Sequence, residues 1–511
     1  MSIQNGGHPS DRPGVSISFS LKLPDSQLSA QERRTALAKV KSQIALHKKS
    51  IEVLEKEREE LEKDLSLVVY PVLTLPVEII SRIFLRCLPS HGRIAPSPTT
   101  APLLLAQICR HWREVALSTS RLWSSLYLYG GWDSDTIYGR RTVPVDLQEQ
   151  NLLRTWFARA KGSPLSLGLN FQFRMASTAL LDLVSSYASQ IQHLDLHMWP
   201  EQFQEFRPFL TPFPLLQHLA TVHSDDVRNL LIASPLIREL RLLRGSKLDS
   251  LVDQSLPFLT HLEVTTITAE KFLAVLRNFP ALSHFTCFSN VSNSFSIPDA
   301  SPPITFPHLS SFHTTGSSLL RLVAFPSLNF LEIDSYADPD VVQEFISRSS
   351  CTIRHLVISF EDQAPDEIAD WLSIFPSISV LEVKECLEIA LPKLVDYLSS
   401  PTLMPWLTDI SICSHIDSSN IQSDCYDALL KMLLHRRRHP LRAAILRRFH
   451  IKFTSPIDDC IQMWQPGHLA TLTLEQLLED GLDFGVCVEF GQVGIQVWPA
   501  TYGPEHESHF P

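Results

Sequence analysis

Leu259-Thr260-His261-Leu262-Glu263-Val264 and Ile353-Arg354-His355-Leu356-Val357-Ile358 share one pattern, apolar-x-x-apolar-x-apolar, and that pattern decides the fold. In such a hexad the spacing predicts a half-buried strand, because side chains of a strand alternate between its two faces. The second apolar position recurs at Leu194, Leu240, Leu262, Phe285, Leu331, Leu356, Leu381, Ile410 and Phe449, with weaker copies at Leu219 and Phe312. Successive centres lie 19 to 29 residues apart, with one gap of 39 before Phe449. Each unit then holds one strand and one returning helix. Neither buries its apolar face alone, so units stack into an array with a shared core. Phe213-Pro214, Phe279-Pro280, Phe325-Pro326 and Phe375-Pro376 precede copies of the pattern, each ending one helix and launching the next strand. The wide gap predicts an extra helix over 423–438. Beyond it, 472–482 reads as a helix, with 486–490 and 493–497 as a closing hairpin.

The whole chain has 511 residues and a net charge of −11, which argues against phosphate-backbone binding. Its 44% hydrophobic content is enough for a sizeable core. Phosphate-cradling loops of the GxxxxGK or GxGxxG kind and the zinc-protease HExxH are absent from the sequence. Nine cysteines without a CxxC pair suggest free thiols in a reducing compartment, with no metal site and no cofactor. The polar, proline-broken start does not read as a secretory signal, and no apolar run approaches the length of a membrane span. These features predict a cytoplasmic or nuclear protein without a membrane or nucleic-acid partner.

Residues 31–64 are half charged, with apolar residues at heptad spacing. Leu37, Ile44, Ile51, Arg58 and Leu65 form one row; Val40, His47, Leu54, Leu61 and Val68 form the row three residues later. Eight of ten seam positions are apolar, a coiled-coil signature, with Arg58 and His47 as the interruptions. Ser29 and Glu32 predict a capping box, and Tyr70-Pro71 a stop. Two readings stay open: association through 29–70, with a homodimer the first possibility, or a single helix packed back on its own chain.

Next, Leu75-Pro76-Val77-Glu78-Ile79 leads into a helix carrying Ile83-Phe84. A proline-rich stretch over 89–102 follows, then a helix over 103–117 with Ile108-Cys109-Arg110-His111-Trp112-Arg113, then Leu122-Trp123. This segment resembles the F-box, and with the preceding heptad helix it is most similar to the F-box-like proteins multiplied in mushroom-forming fungi. The family opens with Leu-Pro-x-Glu-Ile and an Ile-Phe pair, carries a Cys-Arg-x-Trp-Arg element and often ends in Leu-Trp. The proline-rich insert between the first two helices departs from it. The resemblance implies docking on a Skp-family adaptor, and through it on a cullin–RING ubiquitin ligase. Leu75, Pro76, Ile79, Ile83, Leu105 and Trp112 are then the adaptor-binding residues, and Phe84, Cys109 and Trp123 the core of the module. The competing reading makes Ile83, Phe84, Cys109 and Trp112 merely the core of a helical hairpin. The repeats behind the segment resemble irregular leucine-rich-repeat-like arrays, although only Asn290 and Cys386 occupy the place of the usual Asn or Cys after the strand.

The expected fold is therefore α/β: a long N-terminal helix, a helical F-box module and an irregular leucine-rich-repeat-like solenoid. The expected divisions are a disordered tail over 1–28, coiled coil over 29–70, F-box-like domain over 71–130, linker over 131–160, array over 161–455 and cap over 456–511. The function this implies is a non-catalytic substrate receptor of a Skp–cullin–F-box ubiquitin ligase, whose array captures an unknown protein. A scaffold with an unused F-box-like segment is the alternative.

Residues flanking each strand centre are expected on an open, concave face. Of the eleven residues just before a centre, five are His: His193, His218, His261, His284 and His355. Chance placement of 20 histidines would put fewer than one there. With Glu239, the first four predict an imidazole–carboxylate stripe. It reads as a solvated repeat position, as a recognition face for a protein partner or, least convincingly, as a metal site, because a row of ligands does not converge. Arg436-Arg437-Arg438 reads either as a basic docking cluster or as a solvated helix end.

Overall fold

The computed structural model describes residues 29–66, 71–89, 92–129, 145–171, 177–198, 212–222, 227–243, 251, 256–288, 303–334, 337–360, 367–387, 390–400, 402–415, 424–438, 444–455, 468–490 and 493–498. The tail over 1–28, Val68, Tyr70, Asn290 and the sequence after 498 lie outside them. Two units divide at Pro76 and Val77.

The first unit is dominated by helix α1 (Ala30–Ser66). Its capping box forms as the sequence predicts: Ser29 N donates to Glu32 Oε2 at 2.8 Å and Glu32 N to Ser29 Oγ at 3.4 Å. Among its described side chains only His47 is half-buried, and all others are exposed. A single 3-10 turn, Pro71–Thr74, follows.

The second unit begins with α2 (Val77–Arg86), α3 (Leu105–Ile108) and α4 (Arg110–Ser118). The single helix expected over 103–117 is broken. Cys109 is extended, with φ −154° and ψ 170°, and its sulfur accepts from Trp112 N at 3.4 Å, capping α4. A 3-10 turn, Ser120–Trp123, then delivers the chain to the first strand, Ser125–Tyr129.

From that strand a 15-stranded sheet runs in chain order to Val493–Trp498. Neighbouring strands are parallel except the last pair, Asp483–Phe490 with Val493–Trp498. Helices connect many of them, including Thr178–Ser186, Ala269–Asn278, Pro339–Ser349, Asp424–Arg438 and His468–Glu479. Strand centres Leu194, Leu219, Leu240, Leu262 and Phe285 pair in unbroken register and are all buried. Helices supply the other side of that core. Phe272 on Ala269–Asn278, for example, lies 5.5 Å from Phe285 and 6.0 Å from Phe312.

Each Phe-Pro pair closes a turn. Phe213, Phe279 and Phe325 are buried, and their carbonyls accept from the amides of Leu216, Leu282 and Leu328 at 3.1–3.2 Å. Proline at the second position suits such a turn. In place of an asparagine ladder, hydroxyls two residues before the strand centres tie successive units together. Thr260, Ser283 and Ser310 donate to the carbonyls of Arg238, Thr260 and Ser283 at 3.1–3.2 Å. Ser379 and Thr408 do the same to Arg354 and Ser379.

Two expectations about the entrance to the sheet are corrected. The sheet starts at Ser125, ahead of residue 161, and the expected linker contains α5 (Val145–Ala160). Leu153, Trp156, Phe157 and Ala160 recur at helical spacing and are buried. Trp156 meets Trp123 edge-on at 4.9 Å, its Nε1 donates to Ser125 O at 2.8 Å, and Arg159 stands 4.4 Å over the Trp123 ring. The proline-rich insert is also part of the fold. Ile94 is buried and its carbonyl accepts from Tyr127 N at 2.8 Å, so the insert covers the outer edge of the first strand.

Candidate functional site

Two surfaces carry the residues singled out in the sequence. On the helical segment, α2 is amphipathic in a particular way. Ile80 and Phe84 are fully buried, while Val77, Ile79 and Ile83 stay exposed, the last two at 40% and 41%. Phe84 packs edge-on against Trp112 at 5.0 Å, which leaves Trp112 half-buried. Trp123 is buried with its indole N–H donating to Ala116 O at 2.8 Å. Ser81 and Thr119 share a hydroxyl bond at 2.9 Å that fastens α2 to the end of α4. Cys109 is half-buried and serves as the cap described above. Leu105 is a correction. It is buried inside the segment and is not on its surface, whereas its neighbours Leu104 and Ile108 are the exposed apolar residues of that helix. Leu75, half-buried, and Pro76, exposed, end the first unit.

The second surface is the open face of the sheet. The column read from the sequence stands in register from His193 through His218, Glu239, His261 and His284, and His355 follows beside Phe330. Its members differ in environment. The rings of His193 and His218 are tilted, 5.8 Å apart, whereas His261 and His284 stack at 4.0 Å. Thr260 and Ser283 bond the Nδ1 atoms of that stacked pair at 2.8 Å. Phe330 meets His355 edge-on at 4.6 Å, and His355 Nε2 donates to Glu382 at 2.7 Å.

His218 is bound at both nitrogens. Nε2 lies 3.1 Å from Asp195 Oδ1 and Nδ1 3.0 Å from Glu239 Oε2. Burial opposes its charge, but the two carboxylate bonds prevail and raise its pKa above the usual value. Burial likewise works to raise the Asp195 and Glu239 carboxyls, and the bond to His218 overturns it, so both are lowered. His193, His261 and His284 go the other way, their pKa lowered chiefly by burial.

A second column, one residue after each centre, was not singled out in the sequence although the same alternation locates it. It contributes Asp195, Arg241, Glu263, His313, Glu332, Glu382 and His450. Arg93, brought in by the proline-rich insert, lies 5.6 Å over the Tyr127 ring and 3.4 Å from Asp195. Tyr127 in turn rests on Gly168, where a Cβ would fall 1.9 Å from the ring. Arg241 pairs with Glu263 at 3.4 Å, Lys384 with Glu332, and Arg448 with Asp483 at 3.0 Å. The face is a mosaic of compensated charges suited to polar recognition.

The arginine run is not a docking cluster. Arg436 is buried and donates to the carbonyls of Leu398, Met404 and Ser400 at 2.6–2.9 Å. It thereby closes the C-terminal end of helix Leu391–Leu398. Burial pushes its pKa down to about 10. Arg437 donates to Leu446 O and Asp480 O, and Arg438 is exposed. Arg348 uses the same device on Leu320 and Val323.

Among the described residues no group of three or more His, Cys, Asp or Glu is placed to hold a metal, and no helix is long and apolar enough to cross a membrane. No protein-family model matches the chain. No curated protein matches it either.

Proposed function

We propose that the protein is the substrate-recognition subunit of a Skp–cullin–F-box type ubiquitin ligase, with α2 to α4 docking the adaptor and the open sheet face holding the target. One observation carries the reading: α2 completes a core with Ile80 and Phe84 yet leaves Val77, Ile79 and Ile83 facing outward. A ten-residue helix with apolar residues on two sides has a second surface to bury. The spacing of Leu75, Pro76, Glu78, Ile79, Ile83 and Phe84 is what supplies the F-box resemblance and names the adaptor. The protein's contribution would be proximity, raising the local concentration of a target's lysines near the conjugating enzyme.

Co-purification of the full chain with a Skp-family adaptor tests this. Capture by the native chain and loss with Ile79→Asp/Ile83→Asp, at unchanged melting temperature, is the expected result. A native chain that fails to capture the adaptor would leave the scaffold reading in its place.

A further inference from the structure

We propose that α1 is a self-complementary rod that pairs antiparallel with α1 of a second copy of the chain. The proposal is independent of the adaptor reading. Its seam is open: Leu37, Val40, Ile44, Ile51, Leu54 and Leu61 are all 49–62% exposed. A stripe of this length exposed to water calls for a partner helix. The distribution of charge identifies that partner. Residues 30–49 carry six Lys or Arg and one Glu, while 50–66 carry seven Asp or Glu and three Lys or Arg. Side by side in the same direction, two copies would set basic half against basic half and acidic against acidic. Head to tail, the halves are complementary and the helix dipoles also oppose.

The heptad register sharpens this. With Ile51 packed on Leu54 of the second copy, Ile44 meets Leu61 and the polar interruptions meet each other, His47 against Arg58, in two symmetry-related layers. A parallel pair would instead face Arg58 with Arg58 and His47 with His47. In the antiparallel register the flanking positions also match, since Lys41 comes opposite Glu62 and Lys48 opposite Glu55. Two-fold symmetry doubles each pair. The parallel arrangement offers none of these four contacts and brings Glu57 against Glu62. Matched polar layers and matched flanks are the features by which coiled coils select register and orientation.

Sedimentation equilibrium of the full chain tests the pairing. The native protein is expected to dimerise. Lys41→Glu/Lys48→Glu and Glu55→Lys/Glu62→Lys each turn four attractive pairs repulsive and should raise the dissociation constant by about tenfold or more. An equimolar mixture of the two variants restores every pair and should recover the native dissociation constant as a heterodimer, which shows that neither variant is simply misfolded. The proposal is overturned if the native chain is monomeric at tens of micromolar, the outcome expected for a helix reserved for another protein. It is equally overturned if either variant dimerises as tightly as the native chain, or if the mixture fails to recover.

Discussion

His218 Nε2 lies 3.1 Å from Asp195 Oδ1 across neighbouring strands, and because a carboxylate only accepts, the proton between them belongs to the ring. The same holds for Glu239 on the other side, so His218 is an imidazolium clamped between two anions. Around it burial lowers the pKa of His193, His261 and His284, whereas the two carboxylate bonds raise that of His218.

The clamp sets a pH dependence. The folded pKa of His218 is raised above 6.5, so the stability it supplies is complete below 6.5 and is lost as pH rises through the folded value. Native protein should therefore exceed His218→Gln in urea midpoint most near about pH 6, with the gap closing towards about pH 9. A gap of equal size at both ends would refute the charged state.

Arg436 is expected to be a stability residue. Arg436→Met removes the guanidinium bonds to the carbonyls of Leu398, Ser400 and Met404, the last two of which keep a backbone amide, and should cost about 1 to 3 kcal/mol in chemical denaturation. Arg438→Ala, at an exposed position, should stay within about 0.5 kcal/mol. Equal losses would contradict the roles assigned within this run.

Gly168 is required by a ring above it. Gly168→Ala forces Tyr127 away and with it the platform under Arg93, at about 1 to 3 kcal/mol. Adding Tyr127→Ala should return part of that loss in thermal melts. If the double variant is the less stable one, close approach is not the reason for the glycine.

On α2, burial separates two kinds of apolar residue. Phe84→Ala should destabilise by about 3 to 5 kcal/mol, whereas Ile79→Asp should change folding by less than about 1 kcal/mol. Denaturation curves for the two variants would decide. A large loss for Ile79→Asp would mean that its side chain is sealed in the folded protein.

Strand positions were legible in the sequence because a period of two leaves no freedom: once Leu262 and Phe285 are centres, His261 must stand beside His284. The ladder of Thr260, Ser283, Ser310, Ser379 and Thr408 obeys the same period and needed only the next column to be read. Breaks in helices were harder. Cys109 carries no usual capping hydroxyl or carboxamide, so nothing in its type announces that α3 ends there. Arg436 was misread because charge predicts solvent exposure, whereas a guanidinium has enough donors to satisfy several carbonyls at once. The role of the proline-rich insert was not legible, since a segment without periodicity reveals it only through long-range partners such as Tyr127.

That insert has a consequence for assembly. Stacks of like layers invite growth at their ends, where bare backbone would template another chain. Here Ile94 occupies the amide of Tyr127 at one end, and at the other the final strand reverses direction. At the first of these ends the insert therefore takes up backbone that a further layer would need, so growth of the pile there is blocked by the chain's own segment.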